Sequence, residues 1–474
     1  MKKTAVFTGI LTCILGFGSG AIAGDLEWSG TYRIEGLHIN NSELSSDNRE
    51  KQYGLHHLVL KPKIVAADGL TIFGRFDLFN NGTYSSGQLG QFFGNGIGAT
   101  PSTYVDNSNV LSETQSPESL VVSHVYFTYV QEWGALIAGR APLHFGLGMT
   151  HNAGQGEFDH WLDTRDLVGY KLVMGNLYVL PMLGKVSEGA SIDTNDDVTD
   201  YMVQAAYENP ETDLAMGVFY QRREAARAGN DAPADAVFGD TGSVVADQFR
   251  AESINVYVKK ELEDLTFGAE IGQRNGTSGI LNSSSDKVSI SGLGVAAEAE
   301  WRPSQSPWVF GARFGWASGD NPSTTDSMEG YFFDRNYEVA LLMFNHTLGR
   351  ENFLQSNYVG GGPNVTGVNA QIKTPDVETV TNAGYLAPYV NYAWTDQWQL
   401  QGVFATGVLN EVANDGSSAM GFEIDFNLFY RPNERMSWVN QFGYFLPGDA
   451  FAGGTSNYDV KPAFGFVTKA AINF

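Results

Sequence analysis

Cysteine is almost absent from this 474-residue chain: the single Cys13 lies inside the apolar stretch from Ala5 to Phe17 that follows Lys2 and Lys3. A basic pair, an apolar run and then Ala21, Ile22 and Ala23 make the small-x-small pattern that a secretory signal peptidase accepts. Residues 1–23 are therefore expected to be removed, leaving Gly24 as the N-terminus of a chain with no cysteine. Such a chain has no disulfide framework, thiolate nucleophile or cysteine metal site. Ile10, Leu11 and Thr12 in front of Cys13 are not the small residues that lipid modification requires. Charge is also sparse, at 17% of residues, and basic residues are outnumbered, 29 against 53 acidic. The net charge of −24 becomes about −26 once Lys2 and Lys3 leave, which argues against nucleic acid as a partner. Long apolar runs are missing as well. The stretch at Ala5–Phe17 is shorter than the roughly 20 residues a helix needs to cross hydrocarbon, and nothing after it comes near.

Apolar residues are nevertheless abundant, at 43%, with 55 glycines, 30 phenylalanines and 21 tyrosines, too aromatic a mixture for a disordered secreted chain. Their spacing is the clue. Phe464, Phe466, Thr468, Ala470, Ile472 and Phe474 share one parity, with Ala463, Gly465, Lys469 and Asn473 on the other. That is a strand with an apolar side and a polar side. A terminal strand of this kind ending in an aromatic residue resembles the sorting signal of Gram-negative outer-membrane β-barrels, and the resemblance implies the barrel-assembly machinery and outer-membrane lipid and lipopolysaccharide as partners.

The rest of the chain reads the same way. From Leu26 onward, alternating segments are separated by tight polar turns and longer polar loops in turn, predicting an all-β, transmembrane, antiparallel up-and-down barrel of about 18 strands with short periplasmic turns and long extracellular loops. The first strand is placed near 26–39 and the last near 461–474, with intermediate ones including 135–142, 214–222, 265–274 and 419–430. An even count returns both termini to the periplasm. Residues 24–474 then form one barrel domain, interrupted by a long inserted loop near 318–380. Inside that loop Glu338–Leu348 is apolar on both parities, which suits a helix or hairpin folded into the lumen as a constriction, or else two further strands. Trp133, Trp301, Trp308, Trp394, Trp398 and Trp438 fall at or beside the proposed periplasmic turns, and Trp28 beside the new N-terminus. Indole rings prefer a membrane interface, so this clustering reads as an aromatic girdle.

If one parity faces lipid, the other faces the lumen. It offers Arg33 and Glu35, Arg75 and Asp77, Arg140, Glu270 and Arg274, Glu298, Arg313, and Glu423 with Asp425 as pore-lining charges. Eighteen strands enclose more space than side chains alone fill, so these charges are expected to set a transverse field in an open pore rather than pair off in a packed one. In the loops, His144, His151, Glu157, Asp159, His160, Asp163 and Arg165 form one dense set, and Asp320, Asp326, Glu329 and Asp334 another. Their spacing fits neither a calcium loop nor a zinc motif, so they read as solvated loop residues, with no cofactor or metal called for. Eight histidines are available as bases, but no Gly-x-Ser-x-Gly or His-Glu-x-x-His segment occurs, and the chain is read as a non-enzyme, with an outer-membrane hydrolase as an alternative.

The passage Gly315, Trp316, Ala317, Ser318, Gly319, Asp320, running from a strand into a long loop, resembles the alginate-export type of barrel. That resemblance implies passage of an anionic polysaccharide past Arg33, Arg75, Arg140, Arg274 and Arg313. The acidic residues interleaved with them depart from the pattern. The expected function is a porin-like channel for passive diffusion of small hydrophilic solutes or ions. The alternatives are polysaccharide export and a plugged structural or surface-recognition barrel.

Overall fold

Period-two alternation is converted into strands throughout. Eighteen of them form the wall: β1 (Asp25–Asn40), β2 (Lys51–Ala67), β3 (Leu70–Leu78), β4 (Leu120–Gln131), β5 (Gly134–Pro142), β6 (Thr164–Met174), β7 (Leu177–Ser187), β8 (Val198–Asn209), β9 (Leu214–Ala225), β10 (Phe249–Glu261), β11 (Leu265–Leu281), β12 (Lys287–Trp301), β13 (Trp308–Ala317), β14 (Ala383–Ala393), β15 (Trp398–Leu409), β16 (Ala419–Asn433), β17 (Met436–Pro447) and β18 (Ala463–Asn473). The computed structural model describes residues 25–46, 50–78, 90–91, 120–187, 197–225, 248–281, 286–349, 353, 379–412, 416–454 and 457–474. The expected leader at 1–23, and residues 350–352 and 354–378 of the inserted loop, lie outside them. Two short pieces join the wall, Gly90–Gln91 against β2 and Ser327–Met328 running parallel to β12.

Each strand pairs antiparallel with the next, and β1 pairs with β18 from Thr31↔Asn473 to Asn40↔Phe464, so the sheet closes on itself. Closure leaves no free edge, which is what allows strands to cross a lipid layer with every backbone group satisfied. The outer parity is apolar: Ile34, Val168, Val218, Ile254, Ile424 and Ile472 are all exposed on the wall. Among the described residues no helix is long and apolar enough to cross a membrane. Tight turns such as Asp68–Gly69, Glu132–Trp133 and Gly175–Asn176 gather at one end of the barrel, the turn end, together with Asp25 and Phe474. Trp28, Trp133, Trp301, Trp308, Trp394 and Trp438 project from that end, exposed.

Strand β11 runs seven residues beyond its expected end at 274. Asn275, Gly276 and Thr277 keep pairing with β12, and the ladder then absorbs a register shift before Leu281↔Lys287.

The lumen is not an empty cylinder. Residues 143–163, between β5 and β6, and residues 318–349, between β13 and β14, both fold inward. In the second, Glu338–Leu348 adds no strands. It is a series of turns whose Val339, Leu341, Leu342 and Met343 pack with Leu37, Val403, Phe445 and Val467 in one buried apolar cluster inside the barrel.

Candidate functional site: a lumen crossed by two inward segments

The first segment is held by charges on the wall. Arg33 donates to the carbonyl oxygens of Glu157 (3.0 Å) and Asp159 (2.7 Å), and Arg75 donates to that of Gly154 (2.8 Å). From the opposite wall Glu270 accepts the backbone N–H groups of Leu147 (2.8 Å) and Met149 (3.2 Å). Glu157 in turn accepts Asn473 Nδ2 (2.8 Å) and the Ser437 hydroxyl, and His160 lies 2.9 Å from Glu35. Loop carbonyls and amides that would otherwise be buried without partners thus find charged ones, which make the stronger hydrogen bonds.

The second segment is held in the same manner. Glu423 accepts the N–H groups of Leu342 and Met343 (both 2.7 Å), Asp425 accepts that of Leu341 (3.0 Å), and Glu298 accepts the Tyr337 hydroxyl (2.8 Å). The two segments are also stitched to each other. Asn336 Oδ1 accepts the N–H groups of His160 and Trp161 (both 3.1 Å) while its Nδ2 donates to the Trp161 carbonyl (2.8 Å). Asp334 N–H donates to the Met149 carbonyl (2.7 Å), and the Thr150 and Tyr331 hydroxyls meet at 2.6 Å. Burial, reinforced by nearby Asp163 and Asp159, pushes the Asp334 carboxyl up to about 7. Asp159 is also raised, by burial and by Glu338. Burial works the same way on Asp163, but contact with His151 and the charge of Arg165 outweigh it and hold that carboxyl low.

Space remains on both sides of this junction. A cavity of about 450 Å³ on the loop side is lined by Thr150, His151, Arg165, Arg223, Arg274 and Phe332, among others. A cavity of about 330 Å³ on the turn side is lined by Arg313, Glu338, Asp425, Arg431 and Lys469, among others. A narrow slot of about 50 Å³ between β1, β2 and the segments shares Phe158, Glu338, Leu341, Asn345 and Lys469 with the turn-side cavity.

Basic and acidic side chains line these spaces in about equal number, and three of the arginines rest on aromatic rings. Arg274 lies over Tyr331 at 4.7 Å, Arg335 over Trp161 at 4.3 Å and Arg313 over Tyr389 at 5.1 Å, as guanidinium groups do on ring faces. Among the described residues none of these three has a carboxylate partner. Arg165 and Arg223 instead converge on the buried Asp200.

Ten of the eleven charges expected at the lumen lie inside the barrel. Arg33 and Glu35 form an ion pair at 3.4 Å, Arg75 and Asp77 one at 3.1 Å, and both pairs are buried, as are Glu270, Glu423 and Asp425. Glu298, Arg313 and Arg274 are partly exposed to the lumen. Arg140 is the correction. The parity of β5 puts Ala141 and Leu143 inside and Arg140 outside, half-exposed and paired with Asp166 at 2.7 Å near the loop end of the wall. A single charge beside a strand end carries no parity signal of its own, and Gly139 on one side and Ala141 on the other leave the alternation unreadable there. The loop residues read as solvated are corrected too: His151 and Asp320 are buried, Asp163 nearly so, and His160 is partly covered against Glu35. Among the described residues no set of three or more potential ligands is placed to hold a metal ion. Arg165, read as a solvated loop residue, is instead paired with Asp200, and Arg223, Asp200, Asn255, Tyr331 and Asn336 were not foreseen, because their roles depend on which wall each loop reaches.

Ser123, His57 and Asp77 come together, all buried, yet they are not arranged for nucleophilic catalysis. The Ser123 hydroxyl donates to Asp77, and His57 lies against the same carboxyl at 2.8 Å. The hydroxyl therefore meets a carboxylate already engaged by Arg75 and His57, not an imidazole placed to take its proton.

No family model matches the sequence, and no curated protein matches it. Solved structures do. A BenF-like porin from Pseudomonas fluorescens Pf-5 superposes with a TM-score of 0.50 at 10% identity, covering 96% of this chain and 100% of that one. OccK9 (OpdG) of Pseudomonas aeruginosa gives 0.51 at 10% identity over 94% and 99%, and OccK11 (OpdR) of the same organism 0.50 at 9% over 97% and 99%. This is the outer-membrane porin fold. At such identities the likeness speaks for the porin architecture, a closed antiparallel barrel, and leaves the lumen chemistry to be read from this chain's own residues.

Proposed function

We propose that the chain is an outer-membrane channel through which small hydrophilic solutes and ions diffuse passively, with the tight turns in the periplasm and the long loops outside. The carrying observation is the open space in the lumen: charge-lined cavities on both sides of a narrow junction, inside a closed eighteen-stranded wall that is apolar outside. Most wall charges are committed to holding the loops, and of the charges that line the cavities Arg274, Arg335 and Arg313 have no carboxylate partner among the described residues, so the field a solute meets is assigned to them, which favours anions over cations. Polymer export is the weaker reading, because two segments cross the path a chain molecule would take. Catalysis is not part of the proposal, and neither is a cofactor. Residues 1–23 act as the export signal, and the strand ending at Phe474 is what the assembly machinery engages.

Single-channel recording of the refolded mature protein in a planar bilayer, with a salt gradient, tests this. Steady steps with a reversal potential of anion-selective sign are expected. Silence from folded, heat-modifiable protein would sink the channel reading, and a cation-selective sign would sink the assignment of the field to the arginines.

A further inference from the structure

We propose that the paired carboxyl groups of Glu423 and Asp425 on β16 are the latch that holds the apolar segment Val339–Leu348 in the lumen, and that this segment limits the width of the pore. The inference rests on the channel reading for its second half only. Three consecutive N–H groups, those of Leu341, Leu342 and Met343, open a turn whose later amides, Asn345 and His346, return to the Leu342 carbonyl. Like the first amides of a helix they have no partner within their own turn. Glu423 and Asp425 supply all three acceptors, are 0% and 2% exposed, and among the described residues pair with no lysine, arginine or histidine. The wall makes room for them. A Cβ at Gly443 would stand 2.9 Å from Asp425 Oδ1 and 3.1 Å from Glu423 Oε1.

The latched segment is also the partition between the open spaces. Glu338 and Leu341 line both the slot and the turn-side cavity, with Val339 and Ala340 completing the cavity wall. Released from the two carboxyls, it would leave three amides buried without acceptors unless it swung out of its apolar bed. The slot and the turn-side cavity would then merge into one wide passage.

Conductance of four forms of the mature protein tests this, wild type, E423A/D425A, E423Q/D425N, and E423A/D425A carrying L342C and G465C, and two further forms carrying L342C alone, in the native and the alanine background, are kept for labelling. Glutamine and asparagine keep a carbonyl acceptor at each position, whereas alanine keeps none. A Cβ at Gly465 would lie 3.2 Å from Leu342 Cγ, so the two cysteines, introduced into a chain without others, are placed to form a disulfide. The alanine pair should conduct about twofold or more above wild type, the amide pair near wild type, and the oxidised cysteine form should return to the wild-type level. A water-soluble maleimide should label L342C alone about tenfold faster in the alanine background than in the native one, by local opening. Unchanged conductance and labelling in a heat-modifiable alanine pair would overturn the latch. Faster labelling with no conductance in any form would keep the latch and overturn the channel.

Discussion

Beyond pairing with one another, charged side chains inside this barrel divide between two jobs, and their contacts tell which. Arg33, Arg75, Glu270, Glu423 and Asp425 are bound to loop backbone, whereas Arg274 and Arg313 rest on tyrosine rings and face open space. Replacing Arg274 with alanine should therefore shift the reversal potential toward cations while leaving the barrel's thermal stability near wild type. Replacing Arg140 should change neither by a measurable amount, since an exposed pair such as Arg140–Asp166 contributes about 0–1 kcal/mol and does not see the lumen. A shift of equal size in both variants would contradict the division. From the sequence, parity alone placed ten of eleven charges inside. It could not separate anchors from field-setting groups, because that depends on a loop carbonyl or amide arriving from 80 to 130 residues away, as Gly154 does at Arg75 and Met149 at Glu270.

The two inward segments behave as one element because Asn336 and Asp334 join them, and their junction carries a proton. Asp334 titrates near 7 when buried there and near the ordinary carboxylate value of about 4 when the segments part, so the docked form binds the extra proton. Docking is then fully favoured below about pH 4, weakens progressively as pH rises toward 7 and is flat above it. Conductance should rise between about pH 4 and 7, and Asp334→Asn, which is neutral throughout, should flatten that rise. A profile in D334N that matches wild type would remove Asp334 from the junction's pH response. The strands themselves were legible because period-two alternation with tight turns is local information. The miss at β11 was local too: Asn275, Gly276 and Thr277 spell a turn, yet pairing with Ser289, Ile290 and Ser291 holds them extended. Glu338–Leu348 was apolar on both parities because its environment is apolar on every side, so the sequence could flag it but not say which wall receives it.

Across the whole molecule everything depends on one seam. Gly30 and Phe474 exchange both backbone hydrogen bonds, at 2.9 and 3.0 Å, and a Cβ at Gly30 would meet the Val59 carbonyl oxygen first and the Phe474 ring next, 2.6 Å from its Cζ. Gly30→Val should lower the midpoint of heat-modified migration, through an overpacking cost of about 1–3 kcal/mol, and Phe474→Ala in the same chain should recover part of it. Additive losses would show that the ring and Gly30 do not act on each other. The wall and its contents also belong to different solvents. The outer face meets lipid whether or not the insert is docked, but Val339–Leu348 buries its side chains out of the aqueous lumen. Its docking therefore carries the heat-capacity signature of burial from water, weakening on cooling as well as on heating, while the lipid-facing side of the wall, unchanged by docking, adds nothing to it. The barrel is expected to be a frame around an insert that loosens in the cold.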